Sequence, residues 1–271
     1  MVVFSSELRL GHRDGQDTPK RADCYCEIGH FCCDVTAESP DIAHRYGPVR
    51  DWGTMTAQGA TGPLYPSRAA AGTMLGRQLY QRCSPPLVLL GITPTGVEIA
   101  ANAAQALNCP FDVIVGAHIR VEGLGAVGAI AEDADAVTDP DFQPGFDVLG
   151  ALEEAMDRAR RAIKTERLLF RGQRPIRSLE ETNVAVVDGQ LVSPWKALAA
   201  AHAAERLGAQ KVFIAAAAAT QPVQERIRAR RFELICPSII LDPNGHPRPF
   251  GDSQDPSAER LRSIVVARQA A

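Results

Sequence analysis

From about residue 67 onward, short apolar runs alternate with stretches whose apolar positions recur every three or four residues. The clearest run is 184–187, Val-Ala-Val-Val, bounded by Asn183 and Asp188. Consecutive apolar positions without alternation predict a strand buried on both faces, as in a parallel sheet. The stretch after it predicts a helix. Ser193 is a favourable N-cap, Pro194 suits a first helical position that needs no backbone donor, and Gly208 suits the C-terminal cap. Between strand and helix lies a short loop carrying Asp188. The same alternation predicts strands at 87–91, 112–116, 126–131, 211–216 and 232–236. Helices are predicted at 68–79 (capped by Ser67), 97–107, 146–167, 221–228 and 256–268. Strands alternating with helices give an α/β fold: a doubly wound, mostly parallel sheet with helices on both faces.

Residues 1–65 differ. Gly, Pro, Asp, Arg and Thr are scattered through them without strand or helix periodicity, which predicts an irregular N-terminal arm before an α/β domain at 66–271. The arm holds Cys24, Cys26, Cys32 and Cys33 with His30 between them. These are ligand types for zinc or another soft metal, although the spacing is not that of a standard structural site. An unliganded arm, or one packed in a partner interface, stands as the other reading.

Composition narrows the function classes. A 45% hydrophobic content supports a substantial core in a 271-residue chain, and a net charge of −3 gives no electrostatic case for nucleic acid or an acidic membrane. No apolar run is long enough to span a bilayer, and the first residues lack the basic-then-apolar order of a signal peptide. Seven cysteines, three of them singly at the ends of apolar segments (Cys83, Cys109, Cys236), suit buried free thiols in a cytoplasmic protein.

Ligands of doubly wound sheets bind beyond the carboxyl ends of the strands, where the strand order reverses. Three predicted loops follow strands and are expected to share one crevice: 93–96, 117–125 and 188–196. The candidates they supply are Thr93, Thr95 and Gly96; His118 and Arg120; and Asp188, Gly189, Gln190, Val192, Ser193 and Lys196. Bare amides at a helix start, with Lys196 in its first turn, form an anion site. Each candidate also has a plainer reading. Asp188 can cap a turn, Ser193 and Lys196 can be cap and solvated charge, and His118 can be a loop surface residue. Trp195 can pack in the core or fill the phosphate pocket, and the Arg158–Arg167 run can be a solvated helix face.

The stretch Val184-Ala-Val-Val-Asp188 with its following loop and helix resembles the ribose-phosphate loop of the type I phosphoribosyltransferases. Further fragments resemble that family in order: Arg68-Ala-Ala-Ala-Gly72, Thr93-Pro94-Thr95-Gly96-Val97, 126–133 (Ala-Val-Gly-Ala-Ile-Ala-Glu-Asp), and Pro249-Phe250-Gly-Asp252. The resemblance covers the chain from about Leu64 onward. It implies a phosphoribosyltransferase-like fold and a ligand such as phosphoribosyl pyrophosphate (PRPP) or a related phosphosugar or nucleotide, brought with Mg2+. It also implies that Asp188 holds the ribose hydroxyls, that 189–196 hold the 5-phosphate, and that 93–97 face the pyrophosphate. The chain departs from the family pattern where Gly189 replaces a second acid, Ser193 a Thr and Pro194 a Gly. The Arg and one Gly of the pyrophosphate loop are missing, and His118 or Arg120 stands where a Lys is expected. Transfer of a phosphoribosyl group, or altered chemistry on a phosphosugar, with Asp188 and His118 as catalytic candidates, is the leading expectation. A non-catalytic regulatory protein that keeps the fold is the alternative, and a homo-oligomer is expected.

Overall fold

The computed structural model describes residues 55–57, 62–241, 249–252, 254 and 256–269. The cysteine cluster at 24–33 lies outside them. Within the stretch read as an arm, Met55–Ala57 is a strand, β1, too short to show a period. After it come α1 (Arg68–Arg82), β2 (Leu87–Ile92), α2 (Thr95–Leu107), β3 (Phe111–Ile114), β4 (Gly116–Val121), β5 (Gly125–Ala131) and β6 (Val137–Thr138). The long helix α3 (Phe146–Arg171) leads to β7 (Asn183–Leu191), α4 (Trp195–Arg206), β8 (Lys211–Thr220) and α5 (Gln221–Ala229). Two short strands, β9 (Glu233–Ile235) and β10 (Ser238–Ile240), and a last helix, α6 (Ala258–Gln269), complete the described residues.

The main sheet is parallel, in the order β1-β10-β8-β7-β2-β3, with β9 also pairing β8. Side chains alternate across it, as strand geometry requires. Ala185 and Val187 of β7 enter a core shared with α1, α2, α3 and α6, whereas Val184 and Val186 enter a second core beneath α4 and α5. Helices therefore cover both faces, and the expected doubly wound α/β class holds. The chain leaves β2 for β3 on one side and for β7 on the other, so the strand order reverses between β2 and β7.

Three local expectations change. The loop expected at 117–125 is mostly a hairpin arm, because β4 pairs antiparallel with β5 and β5 with β6 in a separate three-stranded sheet. Its cause is legible in Ile119 and Val121, which are buried while Arg120 between them is exposed, the alternation of a one-sided strand. The segment 126–131 therefore does not join the parallel sheet. The strand expected at 232–236 is shorter, β9 at Glu233–Ile235, and beyond Cys236-Pro237 a further strand, β10, pairs between β1 and β8.

Tertiary ties come from charges placed on distant segments. Arg171, in the last turn of α3, donates to the Val113 carbonyl at 2.6 Å and makes a bidentate pair with Glu132, just after β5. Both side chains are buried, and Glu132 also accepts the Val115 amide at 2.8 Å. Arg174 holds Asp112 of β3 with two bonds of 2.7 and 3.0 Å. At the start of α1, Ser67 caps the Ala70 amide as expected, and Asp252 of the closing segment accepts the Arg68 amide at 2.7 Å.

Candidate active site

The reversal between β2 and β7 gathers most of the residues that the sequence singles out. Asp188 is only 4% exposed. Its Oδ1 accepts the Thr95 hydroxyl at 2.6 Å and the Gly189 amide at 2.7 Å. Gly96 makes this approach possible: a Cβ there would sit on the Val187 carbonyl oxygen, so only glycine lets α2 rest against β7. Lys196, in the first turn of α4, donates from Nζ to the Thr93 carbonyl at 3.1 Å. That bond leaves its other two ammonium protons for solvent or a ligand. Thr93 in turn donates to Glu166 of α3 at 2.6 Å. Glu166 is a residue the sequence did not mark, since nothing in its helix spacing ties it to the Thr93 turn.

His118 belongs to the same neighbourhood. Burial pushes its imidazole down to about 4, helped by the charges of Lys196 and Arg120 and opposed by a hydrogen bond to the Gly128 carbonyl and by Asp188. The ring is neutral at physiological pH, and its Nδ1 is buried without a hydrogen-bond partner. Ser193 Oγ is buried and unpartnered as well. Arg120 is exposed, and Val192 is 64% exposed on the turn before α4.

The phosphate loop expected at 188–196 is much shorter than its sequence implies. β7 runs on through Leu191, with Asp188, Gln190 and Leu191 in register with Ala216, Ala218 and Ala219 of β8. Only Val192, Ser193 and Pro194 remain as a turn. Pro194, not Ser193, is the N-cap of α4, and no side chain caps the helix. Trp195 is buried in the α4 core beneath Arg226 and Arg230, which resolves it as packing. Gly208, with φ of 90°, follows the helix end as expected. At Gly189 an added Cβ would lie 3.0 Å from Thr95 Cβ, so a second acid at that position would press on the Thr95–Asp188 bond.

Among the described residues, no three His, Cys, Asp or Glu side chains gather into a metal cluster. Asp188 keeps Oδ2 clear of the Thr95 and Gly189 bonds, which fits a magnesium ion bringing most of its shell as phosphate and water. An open cavity of about 730 Å3 lies elsewhere, at the opposite end of α4, lined in part by Asp135, Val137, His202, Arg206 and Arg230. Within it Arg206 pairs with Asp135 at 2.7 Å, His202 lies 3.0 Å from Glu205, and Arg230 lies over the Trp195 ring. No helix among the described residues is long and apolar enough to cross a membrane.

No protein-family model matches the chain. Two curated Mycobacterium tuberculosis proteins, from strains CDC 1551 / Oshkosh and ATCC 25618 / H37Rv, are each 29% identical to it over 180 residues. Both are named "Putative phosphoribosyl transferase". The match covers 64% of this chain but only 40% of theirs, so the chain spans well under half of those relatives. Among solved structures, TT1426 from Thermus thermophilus aligns with a TM-score of 0.61 at 23% identity, over 75% of this chain and 98% of that one. This is a likeness of fold. Mycobacterium tuberculosis orotate phosphoribosyltransferase in complex with PRPP aligns at a TM-score of 0.37 and 15% identity, over 64% and 73% of the two chains, too slight to argue from.

Proposed function

We propose that this chain, which is similar to two curated proteins named "Putative phosphoribosyl transferase", is a phosphoribosyltransferase-like enzyme that binds PRPP or a related phosphosugar in the β2–β7 crevice. The observation that carries this reading is the convergence of Asp188, Thr95, Lys196 and His118 where the strand order reverses. In the proposed reaction the bond from ribose C1 to pyrophosphate breaks, and a bond from C1 to a nitrogen nucleophile forms. Asp188, fixed by Thr95 and Gly189, accepts hydrogen bonds from the ribose hydroxyls. Lys196 and the turn at 93–96 face the departing negative charge, where fixed donors count most. His118, held neutral, offers an imidazole nitrogen as hydrogen-bond acceptor to the nucleophile's N–H, whose proton passes on to solvent. Magnesium, when present, would neutralise the pyrophosphate, and Asp188 Oδ2 is the protein oxygen that would hold it.

One observation favours a second reading, a protein that keeps the fold and a ligand but not the transfer chemistry. The extension of β7 through Leu191 leaves a turn of three residues where a phosphate would need several free amides. The two readings separate by calorimetry and product analysis. PRPP is titrated with and without magnesium, with ribose 5-phosphate as control, and pyrophosphate release is followed with nitrogen acceptors. The expected outcome is micromolar PRPP binding, about −8 kcal/mol, weakened at least tenfold in Asp188→Asn. Wild-type protein that binds neither compound sinks the leading reading; binding without pyrophosphate release favours the second.

A further inference from the structure

The inner face of α3 runs Ala155, Ala159, Ile163, Glu166 and Phe170, at spacings of three and four. The other members are apolar and buried, but Glu166 is a half-buried carboxylate set between Ile163 and Phe170. A charge on a core-facing stripe costs free energy unless it is hydrogen-bonded. What bonds it is the hydroxyl of Thr93, a residue only 1% exposed, which donates to Glu166 at 2.6 Å.

Thr93 opens a turn that is tied from three directions. Its hydroxyl reaches α3, its carbonyl accepts Lys196 of α4 at 3.1 Å, and the Thr95 hydroxyl reaches Asp188 of β7 at 2.6 Å. Both threonine hydroxyls therefore already donate to carboxylates. The turn at 93–97, Thr-Pro-Thr-Gly-Val, carries no cation of its own, so the positive charge beside it comes from Lys196. α3 and α4 pack on opposite faces of the sheet, and Glu166 forms no ion pair with Lys196 among the described residues. Thr93 is the link between them.

We propose that Glu166 is a positioning residue: by holding the Thr93 side chain, it fixes the carbonyl that aims the Lys196 ammonium into the crevice. What that ammonium does there rests on the reading above, that it faces the departing pyrophosphate. Thr93 is β-branched, so anchoring its hydroxyl restricts χ1 and steadies the turn. α3 is a firm base for the anchor. Arg158 donates to the Arg120 carbonyl at 3.3 Å, and Arg171 pairs with Glu132. Without Glu166, the Thr93 hydroxyl is a buried donor lacking its acceptor, and the turn must shift to find another. Lys196, on a flexible four-carbon stem, then swings away. Among the described residues Glu166 joins no cluster of metal-ligating side chains, and a carboxylate facing pyrophosphate would repel it. It acts through Thr93 and not on the ligand.

Brief acetylation of the native full chain with acetic anhydride, read by mass spectrometry, reports how free the Lys196 amine is, with Lys164 and Lys211 as internal controls. Glu166→Ala is expected to raise Lys196 labelling about threefold against both controls and to weaken PRPP binding about tenfold in calorimetry. Glu166→Gln keeps an oxygen acceptor for Thr93 and stays within about twofold of wild type on both readouts. Thr93→Val deletes the hydroxyl at nearly constant shape and reproduces Glu166→Ala. The double variant is no worse than either single one, because both cut the same link. Circular dichroism checks folding, and if Glu166→Ala does not fold, Thr93→Val and Glu166→Gln carry the comparison. The labelling needs no ligand, so a wild type that binds no PRPP sinks the function reading and leaves Lys196 to decide the relay. Lys196 labelling unmoved by loss of the Thr93–Glu166 bond overturns the proposal. So does labelling that rises while PRPP binding holds, which would make the bond a tie of the fold alone, or a Glu166→Gln variant as impaired as Glu166→Ala.

Discussion

His118 shows how much a single buried side chain can govern. Its imidazole sits at about 4 in the folded chain against an ordinary 6.5, chiefly because burial disfavours the cation. A lowered folded-state value means that the unfolded chain takes up the proton first as pH falls. The stability His118 lends is therefore whole above about 6.5 and declines towards pH 4. His118→Gln is expected to lose less melting temperature than wild type between pH 7 and pH 5, and scanning calorimetry at the two values checks it. Asp188 is a buried carboxylate that, among the described residues, accepts hydrogen bonds from Thr95 and Gly189. Asp188, Thr93, Thr95, Gly96 and Lys196 were legible in the sequence because strand ends and helix starts are where such sheets bind ligands. Glu166 was not, since its partner Thr93 is 73 residues away and no spacing rule joins them.

β7 is the element whose limits the sequence misplaced. Asp188, Gly189 and Gln190 are poor strand formers, so the apolar run reads as ending at Val187. What extends it is the neighbour: β8 offers Ala215–Ala219, small residues that leave space beside a carboxylate and keep the ladder paired to Leu191. Pairing across a sheet overrides intrinsic preference, and it cannot be seen one strand at a time. A second element-scale feature is the clamp of α3 onto the β3–β5 region through Arg171 and Glu132. Arg171→Leu strands a buried carboxylate and is expected to cost about 3–5 kcal/mol in urea denaturation. Adding Glu132→Gln should recover part of that loss, because the remaining group is then uncharged. If the double variant is no more stable than the single one, the pair is not acting as a charge clamp.

At the scale of the whole molecule, the sheet is closed by residues far apart in the chain. Tyr65 donates its hydroxyl proton to the Ala217 carbonyl at 2.7 Å and lies 2.8 Å from Ser238 Oγ, while its ring stacks on Phe250. Burial pushes the phenol up to about 12, so it remains a donor at any physiological pH. Tyr65→Phe keeps the stacking and deletes the hydroxyl. It is expected to lower stability by about 1–3 kcal/mol, read as a shift in the denaturation midpoint at unchanged slope. The same contact has a consequence for how the protein is made. Ser238 comes 173 residues after Tyr65, and Ser238 also pairs with Met55 of β1. At ribosomal speeds the β1–Tyr65 stretch therefore waits roughly 10–35 s for its partners to emerge, while β2 can meet β3 almost at once. Through that interval Met55–Ala57 has no strand to pair with, since β10 is its neighbour in the sheet.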